Sequence, residues 1–212
     1  MKIVSLTLAR AGSKGIKNKN LINLKNKPLI YYQIKNCINS KVSECYVSSD
    51  SDKILKISES FGAIGIKRPL EISGDTARCE DALLHFCDHV DFDVLVFAQA
   101  TSPLIVAEDI NRGIEKFLTG KYDSVFSVTE EHWIPRWSEN LEPINWDHFN
   151  RPRRQMREKA YVENGAFYIT SRDFLIDNRN RYGGNLGIIK IPLARSFQLD
   201  TSQDLELLEK LL

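Results

Sequence analysis

Apolar and polar positions along the chain follow two alternating periods. The runs "KIVSLTL" (2–8), "CYVSS" (45–49), "AIGIK" (63–67), "DVLVFAQ" (93–99), "YDSVFSV" (122–128), "GAFYITS" (165–171) and "GNLGIIKIPL" (184–193) each predict a strand. "DVLVFAQ" is apolar almost throughout, which predicts burial on both faces. Between the runs the period lengthens to that of a helix. "KPLIYYQIKNCINS" predicts one with Pro28 near its first turn. "SDKILKISESFG" predicts another, capped by Ser51 or Asp50 and stopped by Gly62. In "TARCEDALLHFCDHV" the residues Cys79, Ala82, Leu83, Phe86, Cys87 and Val90 form one apolar stripe. "AEDINRGIEKFL" and the closing "TSQDLELLEKLL" complete the set.

Strands alternating with helices of this length predict a parallel, three-layer α/β sheet. Ligands of such sheets bind beyond the carboxyl ends of the strands. "ARAGSKG" and "QATSP" both follow apolar strands, so each falls where a site is expected. The rhythm breaks after residue 128. The stretch that follows carries prolines, little periodicity and all three tryptophans, Trp133, Trp137 and Trp146. This predicts a single domain, 1–212, with an inserted arm at roughly 130–161.

The chain is long enough for one domain with a real core, at 212 residues. Its net charge of +1 gives no global field that points to nucleic acid or a membrane surface. No apolar stretch is long enough to span a bilayer. "MKIVSLTLAR" reaches an arginine too soon for a cleavable signal. Cys37, Cys45, Cys79 and Cys87 form no C-x-x-C pair, which suits reduced, mostly buried thiols in a cytoplasm.

Basic residues concentrate in two places. In "ARAGSKG", glycines allow backbone N–H groups to approach an anion, and Arg10, Lys14 and Lys19 supply charge that suits a polyphosphate. The loop matches neither a Walker motif nor a dinucleotide fingerprint. "RPRRQ" at 151–155 offers arginine forks for carboxylates or phosphates, although composition alone favours a solvated basic loop. RNA binding is a third option, weakened by the lack of a wider basic stripe. His85 and His89, with Cys87 between them, raise zinc. Cys87 lies on the apolar stripe and the histidines off it, so a solvated helix face is favoured. Near the end, Thr201 and Asp204 have capping-box spacing. Asp200 reads equally as part of that cap or as a ligand for a hard cation such as Mg²⁺.

Taken together, these stretches resemble the CMP-sialic acid synthetases, the N-acylneuraminate cytidylyltransferases. The likeness covers nearly the whole chain: "LARAGSKGIKNKNL", "VSSDSDKI", "KRPLEISGDTA", "QATSPL", "YDSVFSV", "RPRRQ", "ENGAFYI" and "LDTSQDL" occur in order. "RPRRQ…YVENGAFYI" and "QATSP" are similar to the animal-type branch. The resemblance implies a Rossmann-like nucleotidyltransferase fold, mostly parallel, working as a homodimer with the arm as its dimerisation element. It implies transfer of CMP from CTP to the anomeric 2-hydroxyl of a nonulosonic acid, with Mg²⁺ or Mn²⁺.

By position, the resemblance assigns Arg10, Lys14 and Lys19 to the phosphates, with Ala9 beside them, and Asn20 to the ribose side. Arg68 and Ala77 fall near the cytosine, and Gln99, Arg154 and Gln155 by the sugar. Asp200 matches the second aspartate of a D-x-D metal motif, whose first aspartate is Gln198 here. A neutral amide oxygen is a poorer Mg²⁺ ligand, so Gln198→Asp is expected to tighten metal use. Val162 stands where the bacterial sialic acid branch often has an arginine, which shifts the expected sugar contacts to "RPRRQ". Other 2-keto acid sugars (Kdo, 8-amino-Kdo, legionaminate, pseudaminate) and a non-catalytic nucleotide-binding module remain alternatives.

Overall fold

A computed structural model describes residues 1–13, 15–132 and 134–212, apart from the side chain of Arg154. Lys14, Trp133 and that side chain lie outside the described residues.

β1 (Ile3–Leu8) alternates: Val4 and Leu6 enter one half of the core, and Ser5 and Thr7 are buried on the opposite face. A two-residue ribbon, β2 (Asn23–Leu24) with β3 (Lys27–Pro28), leads into α1 (Leu29–Ile38). Pro28 is its N-cap, where the missing N–H costs nothing. Next come β4 (Glu44–Ser49), α2 (Asp52–Ser60) and β5 (Ile64–Lys67). Ser51 caps α2 by accepting from Ile54 N, and Gly62 follows its end at φ 97°. α3 (Cys79–His89), β6 (Val94–Ala98), α4 (Ala107–Phe117) and β7 (Ser124–Glu130) complete the regular alternation. β8 (Tyr161–Ser171), α5 (Arg172–Asn178), β9 (Leu186–Lys190) and α6 (Ser202–Leu211) finish the chain.

The main sheet has the order β5-β4-β1-β6-β8-β7-β9. α1, α2 and α4 pack on one face, α3 and α5 on the other. β6 is buried along its whole length, as its composition predicts. The sheet is not wholly parallel: β8 runs antiparallel to both β6 and β7. Among the described residues no α-helix lies between β7 and β8, and strands joined without a helical crossover pair antiparallel. Their ladder ends at Glu130↔Tyr161, so residues 131–160 leave the sheet there and return to it. α5, only seven residues long, is too short to show a period in the sequence.

The α3 stripe differs from expectation at its start. Ala82, Leu83, Phe86 and Cys87 are buried, but Cys79 is exposed. As the first helical residue it sits above the sheet, at the strand ends, rather than against it. Cys87 turns into the core while His85 and His89 pack ring against ring, 4.1 Å between centroids, on the other side of the helix, so the thiol does not converge with the two histidines. No helix among the described residues is long and apolar enough to cross a membrane.

Candidate active site

The carboxyl ends of β1, β5 and β6 open onto a cleft of about 440 Å³. Its lining brings together Arg10, Lys19, Asn20, Arg68, Ala77 and Gln99, residues spread over ninety positions of sequence. Ala9 follows β1 beneath them, fully buried, with its N–H donating to Ser48 O.

Each polar group in the cleft has a reason for its pose. Asn20 is buried in a short 3-10 turn and donates through Nδ2 to Arg10 O at 3.0 Å, folding the opening loop back on itself. Ala11 N donates to Asp50 Oδ1 at 3.0 Å and ties that loop to the end of β4. Arg10 pairs with Asp75 across the cleft at 2.6 Å. Lys19 donates to Leu199 O at 3.1 Å and to Asp200 Oδ1 at 2.8 Å. A Cβ on Gly15 would lie 2.8 Å from the Asp200 carbonyl, so only glycine lets the two loops approach this closely. Arg68 is buried, and Nε donates to Ser73 Oγ at 3.0 Å. Burial lowers its pKa from the ordinary arginine value while the Asp50 charge opposes the change. An arginine starts high enough to keep its charge. The cleft therefore presents fixed cations and backbone to an anionic ligand.

The 193–200 segment closes one side. Arg195 forks onto both oxygens of Asp109, a buried residue of α4 that also accepts from Arg112 Nη2 at 3.2 Å. Leu199 is buried and its N–H donates to Thr101 O at 2.9 Å. Asp200 follows with its side chain 62% exposed, beside the cleft rather than within its wall. Asp204, not Asp200, caps α6: its Oδ2 accepts from Thr201 N at 2.7 Å and Asp200 N at 3.0 Å. These donors hold its carboxyl below the usual aspartate range.

Two expected residues lie elsewhere. Gln155 lines a separate concavity of about 630 Å³ at the root of the arm, with Glu130, Pro152 and Met156. The 3-10 turn Arg154–Met156 carries Arg154 there too. Among the described side chains of "RPRRQ", none lines the cleft that holds Gln99. Sequence reasoning missed Asp75, Thr101, Ser102 and Asn164. Asp75 was visible as the acid in "SGDTA", but only the fold sets it opposite Arg10. Among the described residues no group of three or more His, Cys, Asp or Glu side chains is arranged around a metal position.

Sheet order and cleft define a three-layer α/β protein with a cation-lined cleft at its strand ends. The fold matches that of a solved structure, CMP:2-keto-3-deoxy-manno-octonic acid synthetase complexed with CTP, with a TM-score of 0.76 at 16% identity over 100% of this chain and 98% of that one. The chain belongs to the cytidylyltransferase family, whose model matches residues 4–211. It is 34% identical over 211 residues to N-acylneuraminate cytidylyltransferase A of Danio rerio, covering 95% of this chain but 49% of that protein. The chain thus spans about half the length of that relative. It is 30% identical to a pseudaminic acid cytidylyltransferase of Campylobacter jejuni, covering 97% of this chain and 94% of that protein.

Proposed function

We propose that the protein transfers CMP from CTP to the anomeric 2-hydroxyl of a nonulosonic acid such as N-acetylneuraminate, releasing pyrophosphate. The convergence of Arg10, Lys19, Asn20, Arg68, Ala77 and Gln99 on one cleft carries this reading. The oxygen of the sugar 2-hydroxyl attacks the α-phosphorus and gives up its proton to solvent, the bond from the α-phosphorus to the bridging oxygen breaks, and pyrophosphate leaves with the bonding pair. Such a transfer needs placement and charge neutralisation rather than a covalent intermediate. Arg10, Lys14 and Lys19 take the triphosphate with Ala9 beside them, Asn20 the ribose side, Arg68 and Ala77 the cytosine, and Gln99 the sugar.

Asp200 fits a divalent cation that arrives with the nucleotide: it is an exposed carboxylate beside the phosphate cations, with one oxygen shared with Lys19. Asp200 would hold Mg²⁺ or Mn²⁺ there, and the ion would supply charge neutralisation to the triphosphate. Because Gln155 and the Arg154 backbone lie apart from the cleft, we assign "RPRRQ" to the partner's site in a homodimer, which makes each site composite. CTP as substrate and three buried free thiols support a cytoplasmic setting.

Pyrophosphate release, read by malachite green after pyrophosphatase, tests the reading. CTP is assayed with N-acetylneuraminate, Kdo, 8-amino-Kdo, legionaminate and pseudaminate. The likeness to the pseudaminic acid enzyme along nearly its whole length makes that sugar the second choice. The expected result is release that requires both CTP and one of these acids. No release with any of them overturns it and leaves a non-catalytic nucleotide binder.

A further inference from the structure

Gln198 replaces a metal-motif aspartate, and its surroundings show a different task. Its Nε2 donates to Ser102 Oγ at 3.1 Å and to the Asn164 carbonyl at 2.5 Å. Ser102, 1% exposed, ends the "QATS" turn after β6; Asn164 opens the irregular stretch of β8. Only a donor can lie this close to a carbonyl oxygen, so the amide orientation follows from the contact. A carboxylate in its place would set acceptor against acceptor.

Asn164 is itself held. Its Oδ1 accepts from Ser127 Oγ at 2.6 Å, and its Nδ2 donates to Ser196 Oγ at 3.2 Å. Gly165 follows at φ 65°, and a Cβ there would lie 2.8 Å from Gln198 Nε2 and 3.6 Å from Gln99 Nε2. The two amides therefore flank the same backbone position. Gln99 in turn donates its N–H to Ala166 O at 2.9 Å. One network joins the 99–102 turn, the β8 irregularity and the 196–198 segment, and Gln198 is the member that bridges all three.

We propose that Gln198 is a positioning residue for the sugar side of the cleft: its amide N–H groups clamp the 99–102 turn to β8 and thereby set Gln99, and the residue is not a metal ligand. This rests on the transfer reading above. It reverses the sequence expectation for Gln198→Asp, which would place a short carboxylate beside the Asn164 carbonyl.

Gln198→Glu and Gln198→Met keep length and lose the donor, one with charge and one without. The clamp predicts that both act alike. Sugar KM rises about tenfold or more, while CTP KM and half-saturating Mg²⁺ stay within about twofold. Ser102→Ala, which removes one acceptor, shifts sugar KM in the same direction by less and serves if the Gln198 variants fold poorly. A metal-ligand role predicts opposite signs: half-saturating Mg²⁺ falls in Gln198→Glu and rises in Gln198→Met. That split, or a sugar KM unchanged in all three variants, overturns the proposal. Melting curves without substrate give an arm independent of turnover: each Gln198 variant melts below wild type. Equal melting of all forms overturns the clamp, even where wild type turns over no sugar and the transfer reading itself fails.

Discussion

Arg10 and Lys19 meet carboxylates in the free protein, Asp75 at 2.6 Å and Asp200 at 2.8 Å. In the proposed transfer, an entering triphosphate would exchange one anionic partner for another, so the cations would not be desolvated afresh. Asp75 and Asp200 also hold the guanidinium and ammonium groups near their working positions, which is pre-organisation by a stand-in charge. Lys14 belongs to the same loop by sequence. Lys14→Ala is expected to lower turnover by about two to three orders of magnitude, the cost of one contact to developing charge. A variant that consumes CTP within a few-fold of wild type would remove the loop from the phosphate role. Asp200→Asn separates ligand from cap. Since Asp204 accepts the cap hydrogen bonds, the substitution is expected to leave melting unchanged and abolish most activity, with little recovery in excess Mg²⁺. Full activity across a Mg²⁺ titration would refute the ligand role.

At the scale of elements, α6 holds one edge of the cleft in place. Its Leu208 is buried with Leu199, Leu24 and Leu29, so the helix fastens the segment that carries Gln198 and Asp200. Its N-terminus is closed by a reciprocal capping box, Thr201 Oγ1 accepting from Asp204 N and Asp204 accepting from Thr201 N. Asp204→Ala is expected to cost about 1 kcal/mol, as caps do. The pH dependence has a definite sign. Backbone N–H groups depress the Asp204 carboxyl in the folded state, so its contribution is complete above the ordinary carboxylate pKa and is lost as pH falls through the depressed value. The melting difference between wild type and Asp204→Ala should therefore be full at pH 7 and shrink below about pH 4. A difference that persists undiminished in acid would assign the effect to lost packing instead.

The whole molecule leaves the arm unfinished. Ile134, Leu141, Ile144, Phe149 and Met156 are all exposed, Phe149 at 89%. Trp137 and Trp146 pack edge-to-face at 5.1 Å, with Arg151 5.4 Å from the Trp146 ring. Aromatic and arginine side chains are the usual anchors of interfaces. Light scattering is expected to give a homodimer at micromolar concentration, and Phe149→Asp with Ile144→Asp a less active monomer. If each site is composite, mixing Lys14→Ala with Arg154→Ala, each inactive alone, restores part of the activity through subunit exchange. The hybrid pairs an intact cleft with an intact arm. A fully active wild-type monomer would sink the composite site.

Much of this protein is determined locally. Periods of two and of 3.6 placed the strands and long helices, Ser51 and Gly62 bounded α2, and the glycine-and-lysine loop after β1 marked the cleft. These depend on neighbours in sequence, because side-chain alternation and capping are short-range effects. The resemblance added Arg68, Ala77 and Gln99, whose types alone carry no signal. Tertiary structure decided the rest. β8 runs antiparallel because the arm returns the chain beside β7, and no local pattern records that pairing. Cys79 fits the apolar stripe yet is exposed, since it stands above the strand ends. Asp75 acquires its meaning from Arg10, 65 residues away, and Gln198 from Ser102 and Asn164, 96 and 34 residues away. An amide and a carboxylate differ little along a sequence. They differ decisively once a fold sets a carbonyl oxygen against them.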